Sequence, residues 1–212
     1  MNTKCIIFDC DGTLVDSEYL TNSVIAQMAG ELGVEMTAED ATKTFGGKTI
    51  DAVMYTMREL SGKEIPPDWR PRLITKVSEA YKTNLTPMDG IKEVLEQISI
   101  PVCVASNGEP RHVKGSLTIT GLIDYFGDKI YTASDVGIPK PAPDLFLYAS
   151  EKMNVKPSDC VVIEDSISGV TAAVKANITV YGLVGMCSAE ELEVAGAIPF
   201  THMQDLPTLL GL

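Results

Sequence analysis

The sequence has little of what several protein classes require. Its five cysteines, Cys5, Cys10, Cys103, Cys160 and Cys187, are odd in number and widely spaced, with no Cys-x-x-Cys pair and no Cys/His cluster at zinc spacing. That excludes a disulfide-stapled scaffold and points to buried free thiols in a reducing cytoplasm. No apolar run reaches the roughly eighteen residues of a membrane span. The short run at 5–8 is cut at once by Asp9 and Asp11, which leaves it too short for a signal sequence. Positive charge is scarce, 17 Lys and Arg against 29 Asp and Glu, for a formal net charge of -12. Such a surface repels nucleic-acid phosphates and anionic membranes, so an anionic small molecule would need a local positive centre. Repeats, low-complexity tracts and flexible linkers are missing as well. The expectation is a cytoplasmic protein, a monomer or small homo-oligomer, with no nucleic-acid or membrane partner.

What is present is ordinary for a globular chain: 212 residues, 45% hydrophobic and 22% charged, enough for a substantial core. Continuous apolar runs at 4–8, 101–105, 160–163 and 178–184, with weaker ones at 129–133 and 197–201, predict strands covered on both faces. Between them lie helical patterns, such as Ile91, Val94, Leu95 and Ile98 at i, i+3, i+4, i+7, and segments at 109–119, 143–153 and 167–176. This alternation predicts an α/β fold, a Rossmann-like parallel sheet flanked by helices. Residues 17 to about 84 break the alternation with helical stretches only. The first opens at Ser17 as N-cap, carries Leu20, Val24, Met28 and Leu32 on one face and stops at Gly33; others run near 38–44, 50–60 and 68–84. The expected organisation is a core domain of residues 1–16 and 84–212, with an inserted α-helical cap domain at 17–83 whose Trp69 and methionines pack its interior. Ser188 and Glu191 form a capping box near the end of the chain.

The chemistry-bearing residues follow predicted strands. Asp-Cys-Asp-Gly-Thr at 9–13 comes directly after the first, where ligands of open parallel sheets bind. Asp9 and Asp11, two residues apart, can face one pocket, and Gly12 permits the tight exit turn. Crowded carboxylates repel unless a cation joins them, and a hard, oxygen-seeking ion such as Mg2+ fits. An EF-hand register fails, because its sixth position is Leu14 and its twelfth Leu20; a plain acidic turn stays open. Ser106 and Asn107 follow the second strand, where a hydroxyl and backbone N–H groups can hold phosphate oxygens, although Ser-Asn-Gly is also a common turn. Lys140 sits between prolines in Gly-Ile-Pro-Lys-Pro-Ala-Pro-Asp, ahead of a helix starting near Pro143. Glu164 and Asp165 close another strand and complete an acidic cluster for a cation; Asp165 could equally cap the next helix. All four pieces should open onto the same sheet edge.

In that order and spacing the residues resemble the haloacid dehalogenase superfamily, in the branch with a helical cap after the first strand. The match rests on Asp-x-Asp-Gly-Thr-Leu-x-Asp-Ser at 9–17, Ser106, Lys140 in Lys-Pro-x-Pro-Asp, and Glu-Asp-Ser-x-x-Gly at 164–169, and it spans nearly the whole chain. Within the superfamily it is similar to sugar-phosphate phosphatases, those of the 6-phosphogluconate type included, and to the β-phosphoglucomutase-like group. The resemblance implies that Asp9 is the nucleophile forming an aspartyl-phosphate and that Asp11 protonates the leaving alcohol and then activates water. It further implies that Asp9, the Asp11 main-chain carbonyl and Asp165 hold Mg2+, with Glu164 as a further ligand or support. Ser106 and Asn107 would grip the phosphoryl oxygens and Lys140 would offset charge. His112 and His202 would be incidental, and hinges would lie near 15–17 and 83–87.

Departures from the family patterns narrow the choice. Dehalogenases lack the second Asp, so Asp11 favours phosphate chemistry. The cap-hinge His of the mutases is missing from Tyr-Leu-Thr-Asn at 19–22, which favours a hydrolase. The insert loop Gly-Gly-Lys-Thr at 46–49 resembles a specificity loop, in which Lys48 binds an anionic substrate or is merely solvated. The expected function is a Mg2+-dependent phosphatase of small phosphorylated metabolites, sugar or sugar-acid phosphates. A phosphosugar mutase is the alternative enzyme, and a receiver-like phospho-accepting signalling module the alternative of another class.

Overall fold

The structure, a computed structural model, describes residues 3–46, 48 and 50–211. The chain divides into two compact units, Met1–Val15 with Thr86–Leu212, and Asp16–Leu85. Among the described residues no helix is long and apolar enough to cross a membrane.

The first unit is built on strands β1 (Cys5–Phe8), β2 (Val102–Ser106), β3 (Ile130–Thr132), β4 (Cys160–Glu164), β5 (Thr179–Leu183) and β6 (Ile198–Phe200), which fall on the six apolar runs of the sequence. They form one sheet in the order β3-β2-β1-β4-β5-β6, every pair parallel. All residues of β1 and β4 are buried, as continuous apolar strands require when both sheet faces are covered. Connections run from β1 toward β2 and β3 on one side and from β4 toward β5 and β6 on the other. The direction therefore reverses between β1 and β4, and the crevice beyond their carboxyl ends is where such sheets bind ligands.

The segment between β1 and β2 holds the second unit: α1 (Ser17–Glu31), α2 (Ala38–Phe45), α3 (Ile50–Ser61) and α4 (Trp69–Asn84). Asp16, not Ser17, occupies the N-cap position of α1, and no side chain caps it; Ser17 is the first helical residue. At the other end Gly33 takes φ +84, and the N–H groups of Gly33 and Val34 donate to the carbonyls of Gly30 and Ala29, a left-handed close that glycine makes without strain. α2 starts on a capping box formed by Thr37 and Asp40. The unit has its own core, in which Val24, Met28, Phe45, Met57, Trp69 and Leu73 are buried together.

In the α/β unit the sheet is flanked by α5 (Ile91–Gln97), α6 (Pro110–Ile119), α7 (Ile123–Phe126), α8 (Ala133–Val136), α9 (Asp144–Lys152), α10 (Ile167–Lys175), α11 (Ala189–Ala195) and α12 (Leu206–Leu210). Apolar residues of α9 and α10, among them Leu145, Phe146, Val170 and Ala173, pack with Ile7, Ala105, Val162 and Val180 of the strands. The Ser188–Glu191 capping box read from the sequence opens α11. Where the chain leaves and re-enters this unit, Val15 and Pro87 form an antiparallel bridge and the Met88 N–H donates to the Leu14 carbonyl at 2.9 Å.

Candidate active site

β1 sets the first element of the site. Phe8 is in register with Ile163 of β4, and the Asp9 N–H donates to the Ile163 carbonyl at 2.9 Å, so the backbone stays paired one residue beyond the strand. Asp9 is thereby held beside Glu164, the last residue of β4, and is only 8% exposed. The exit turn closes as the N–H groups of Leu14 and Val15 donate to the Cys10 carbonyl. Gly12 has φ +79, and a Cβ there would run into the Asp165 carboxylate, so both its conformation and its surroundings demand glycine.

Lys140 reaches this point from the loop before α9. Its Nζ donates to Asp9 Oδ1 at 2.6 Å and to Glu164 Oε1 at 2.8 Å, and it lies 4.7 Å from the centre of the Phe146 ring. Among the described residues, Asp9, Glu164 and Asp165 form a buried carboxylate group, each offering one oxygen within 4.8 Å of those of the other two. Glu164, the last residue of β4, and Asp165 directly after it are organised differently. Glu164 Oε2 accepts from the N–H groups of Asp165 and Ser166 and from the Ser166 hydroxyl at 2.8–3.0 Å, while Oε1 takes the Lys140 ammonium. A Cβ at Gly169 would overlap the Glu164 carboxylate, so the first turn of α10 can pass there only as glycine. Asp165 accepts instead from the Thr13 hydroxyl at 3.2 Å. The cap of α10 is Ser166, whose hydroxyl accepts from the Gly169 N–H, which decides against Asp165 as the helix cap.

Electrostatics follow from burial. Desolvation pushes the Asp9 carboxyl up, and Glu164 and Asp11 add to this against the pull of Lys140. For Lys140 burial works downward, but the charges and hydrogen bonds of Asp9 and Glu164 outweigh it and hold the ammonium above its ordinary range. The Lys140 ammonium bonds two of the three buried carboxylates, Asp9 and Glu164, and the third, Asp165, adds an excess of negative charge that a divalent cation relieves. All the donors are hard oxygens, the ligand type Mg2+ takes. Cys10, between the two aspartates, is fully buried and its thiol is pushed well up by desolvation and by Asp11 and Asp9, so it is no competitor as a nucleophile.

The remaining residues singled out from the sequence are placed as follows. Ser106 is buried at the end of β2, and its hydroxyl accepts from the Gly108 N–H at 3.0 Å. The Asn107 side chain clamps the main chain of Lys140: its Oδ1 accepts from the Lys140 N–H at 2.9 Å and its Nδ2 donates to the Lys140 carbonyl at 3.3 Å. Asn107 thereby joins the loop after β2 to the loop that carries Lys140. The Asp11 side chain lies outside the carboxylate group and stands 3.3 Å from His112 Nε2. Lys48 is exposed in the second unit; Gly47 and Thr49 of its loop lie outside the described residues. His112, expected to be incidental, is the side chain that meets Asp11. The available signal was its place in the first turn of the helix that follows the Ser106 loop, which points that turn toward the sheet edge. The hydrogen bond to Asp11 raises its imidazole above the ordinary range.

A family model described as haloacid dehalogenase-like hydrolase matches residues 6–183. The chain is 27% identical over 207 residues to the 6-phosphogluconate phosphatase of Escherichia coli K12, covering 97% of this chain and 94% of that one. It is 30% identical, with a TM-score of 0.91, to the crystal structure of a conserved haloacid dehalogenase-like protein of unknown function from Agrobacterium tumefaciens, over 99% and 98% of the two chains. A haloacid dehalogenase family hydrolase from Deinococcus radiodurans, crystallised with bound phosphate and sodium, is also 30% identical, with a TM-score of 0.89 over 99% and 96%. The receiver-module alternative does not survive a match of this extent. With the parallel sheet, the strand-end aspartates and the buried lysine, these likenesses establish that the chain belongs to the haloacid dehalogenase-like hydrolases and is an enzyme.

Proposed function

We propose that this phosphatase is Mg2+-dependent, forms an aspartyl-phosphate on Asp9 and takes small phosphorylated metabolites, namely sugar or sugar-acid phosphates. The observation that carries the reading is the meeting of Asp9, Glu164 and Asp165 with Lys140 at the carboxyl end of the sheet. In this reading the carboxylates of Asp9 and Asp165 and the main-chain carbonyl of Asp11 hold the ion. Glu164, whose two oxygens already accept four hydrogen bonds, supports them from behind. When bound, Mg2+ supplies positive charge facing the phosphoryl oxygens.

The chain's own groups then divide the work. An Asp9 oxygen attacks phosphorus in line; the bond from phosphorus to the leaving alcohol breaks, and Asp11 gives that oxygen its proton. Asp11, now a carboxylate, takes a proton from water, whose oxygen attacks phosphorus as the bond to Asp9 breaks and phosphate leaves. An anion attacking an anion needs compensation, since two unit charges 4 Å apart repel by about 4 kcal/mol at an effective dielectric near 20. Lys140, hydrogen-bonded to Asp9, lowers that repulsion and favours the ionised nucleophile against the burial that opposes it. The Ser106 hydroxyl and the backbone of its loop hold the phosphoryl oxygens, while the Asn107 side chain fixes Lys140. Phosphoryl transfer asks for alignment and charge stabilisation, which this set provides. Lys48 is assigned to the anionic part of the substrate. The substrate class rests on the likeness to a 6-phosphogluconate phosphatase, and water as acceptor on the missing hinge histidine at 19–22.

The test is phosphate release from a panel of phosphorylated metabolites, with Mg2+ and after chelation, by the wild type and Asp9→Asn. Turnover of compact sugar phosphates that requires both Mg2+ and Asp9 is expected. Undiminished turnover by Asp9→Asn, or after chelation, would overturn the reading.

A further inference from the structure

We infer that His112 is a positioning residue for the proton carrier: its Nε2 holds Asp11 Oδ1 so that the other carboxyl oxygen faces the leaving group. The inference rests on the reading that Asp11 moves the proton, and it adds a residue that none of the sequence motifs contains. The contact, 3.3 Å between side chains 101 positions apart in the chain, is made within a single compact unit, so it does not depend on where the helical segment stands.

The surroundings show how the fold brings the ring to that place. β2 ends at Ser106, and the chain turns through Gly108 into α6, whose first turn carries His112. A side chain at position 108 would press on this arrangement from three sides, since a Cβ there would lie 3.0 Å from Val113 Cγ2, 3.3 Å from Ser106 Oγ and 3.4 Å from His112 Cδ2. The bare glycine leaves room for the imidazole and the Ser106 hydroxyl on either side of it, and the fully buried Val113 next to His112 anchors the turn. On the other partner, the backbone of Asp11 is bridged to Val15 and followed by the Gly12 turn, which leaves rotation of the carboxyl group as the freedom still to be restrained. A proton carrier gains from that restraint, because transfer needs the carboxyl oxygen within hydrogen-bond reach of the leaving oxygen, and general acid–base assistance falls quickly with misorientation. As a surface ion pair the contact would be nearly neutral for stability, the side chains being 38% and 30% exposed. Its effect therefore belongs in turnover.

The experiment compares His112→Phe, which keeps the ring shape and lacks a donor, with His112→Gln, which restores one, in the wild-type and Asp11→Asn backgrounds. Kinetics are measured on a sugar phosphate, and thermal melting on every variant. His112→Phe should lower kcat about tenfold, a fraction of the 10²–10⁴ that acid–base assistance supplies, with KM within about twofold of wild type. His112→Gln should recover most of the loss, and His112→Phe should cost nothing further in Asp11→Asn, because the two act as one unit. Unchanged kcat in His112→Phe, no recovery by Gln at normal melting, or an equal loss in both backgrounds overturns the assignment. If Asp11→Asn is inactive while His112→Phe is fully active, the role of Asp11 stands and that of His112 falls; if Asp11→Asn is fully active, both fall.

Discussion

Replacing Lys140 by Met would test the electrostatic core of the site most directly. At 2.6 and 2.8 Å, each contact of the ammonium with Asp9 and Glu164 amounts to about 6 kcal/mol gross at an effective dielectric near 20. Most of this offsets the cost of taking three charges out of water, and Lys140 is only 5% exposed. Removing one partner of such a buried set leaves the others uncompensated, a net destabilisation of roughly 3–5 kcal/mol. Set against a total stability of about 5–15 kcal/mol, that loss leaves the variant folded except at the lowest end of the range, and its melting curve shows which holds. Its melting temperature should fall by roughly 6–20 °C, at about 2–4 °C per kcal/mol for a chain of this size. The missing charge also lets the Asp9 carboxyl rise further, so less of it is ionised for attack at neutral pH. Saturating Mg2+ should restore part of the melting temperature, and more in the variant than in the wild type, while turnover stays down by at least about a hundredfold. Calorimetric melting with and without Mg2+, beside phosphate release on one sugar phosphate, reads both quantities. A variant that melts with the wild type and turns over within a factor of two would refute the argument that Lys140 is the counter-charge of the cluster.

Three further outcomes follow from the geometry. Thr13→Val removes the hydroxyl bond to Asp165 and should weaken Mg2+ binding by about tenfold in a calorimetric titration with little change in melting; an unchanged affinity would mean that Asp165 needs no such support. Gly169→Ala drives a methyl group into the Glu164 carboxylate and should cost roughly 1–3 kcal/mol together with a loss of activity, whereas a neutral Ala would show that Glu164 can move away without consequence. Asp40 and Glu191 are held below their ordinary values of 3.8 and 4.5 by the backbone N–H and hydroxyl groups of Thr37 and Ser188. The folded values being the lower ones, this stabilisation is complete above the unfolded values and is lost as pH falls from there through the folded ones. Urea titrations of Thr37→Ala and Ser188→Ala between about pH 5 and 3 should therefore show a shallower loss of stability than the wild type, and identical slopes would contradict the capping geometry.

The strands were legible because a sheet covered on both faces selects unbroken apolar runs: Cys5–Phe8 and Cys160–Glu164 can hardly be read otherwise. The strand-end residues were legible for a related reason, since parallel strands bring Asp9, Ser106 and Glu164 to one edge whatever the details of the loops. Contacts that depend on side-chain direction were not. Asn107 has the composition of a phosphate gripper, yet its amide closes on the backbone of Lys140, which only the approach of two loops decides. His112 meets Asp11 because of the phase at which α6 starts, and its place in the first turn after the Ser106 loop hints at the sheet edge without naming its partner. Ser17 has the chemistry of an N-cap, but the backbone begins its helix one position earlier, leaving Asp16 in the capping position without a side-chain bond. Short helices such as α7 and α8 hold a single turn each, too few residues for a hydrophobic period.

The bridge between Val15 and Pro87 makes the departure and return of the polypeptide immediate neighbours. Closing a loop costs little more as the loop lengthens, only about 0.6 kcal/mol per doubling, so the stem tolerates excursions of very different size. Recombination can therefore trade the intervening stretch for another self-contained one without disturbing the residues around Asp9. An ancestral catalyst built this way can acquire new preferences by exchange of a single continuous piece of gene, while the phosphate-handling apparatus is inherited unaltered.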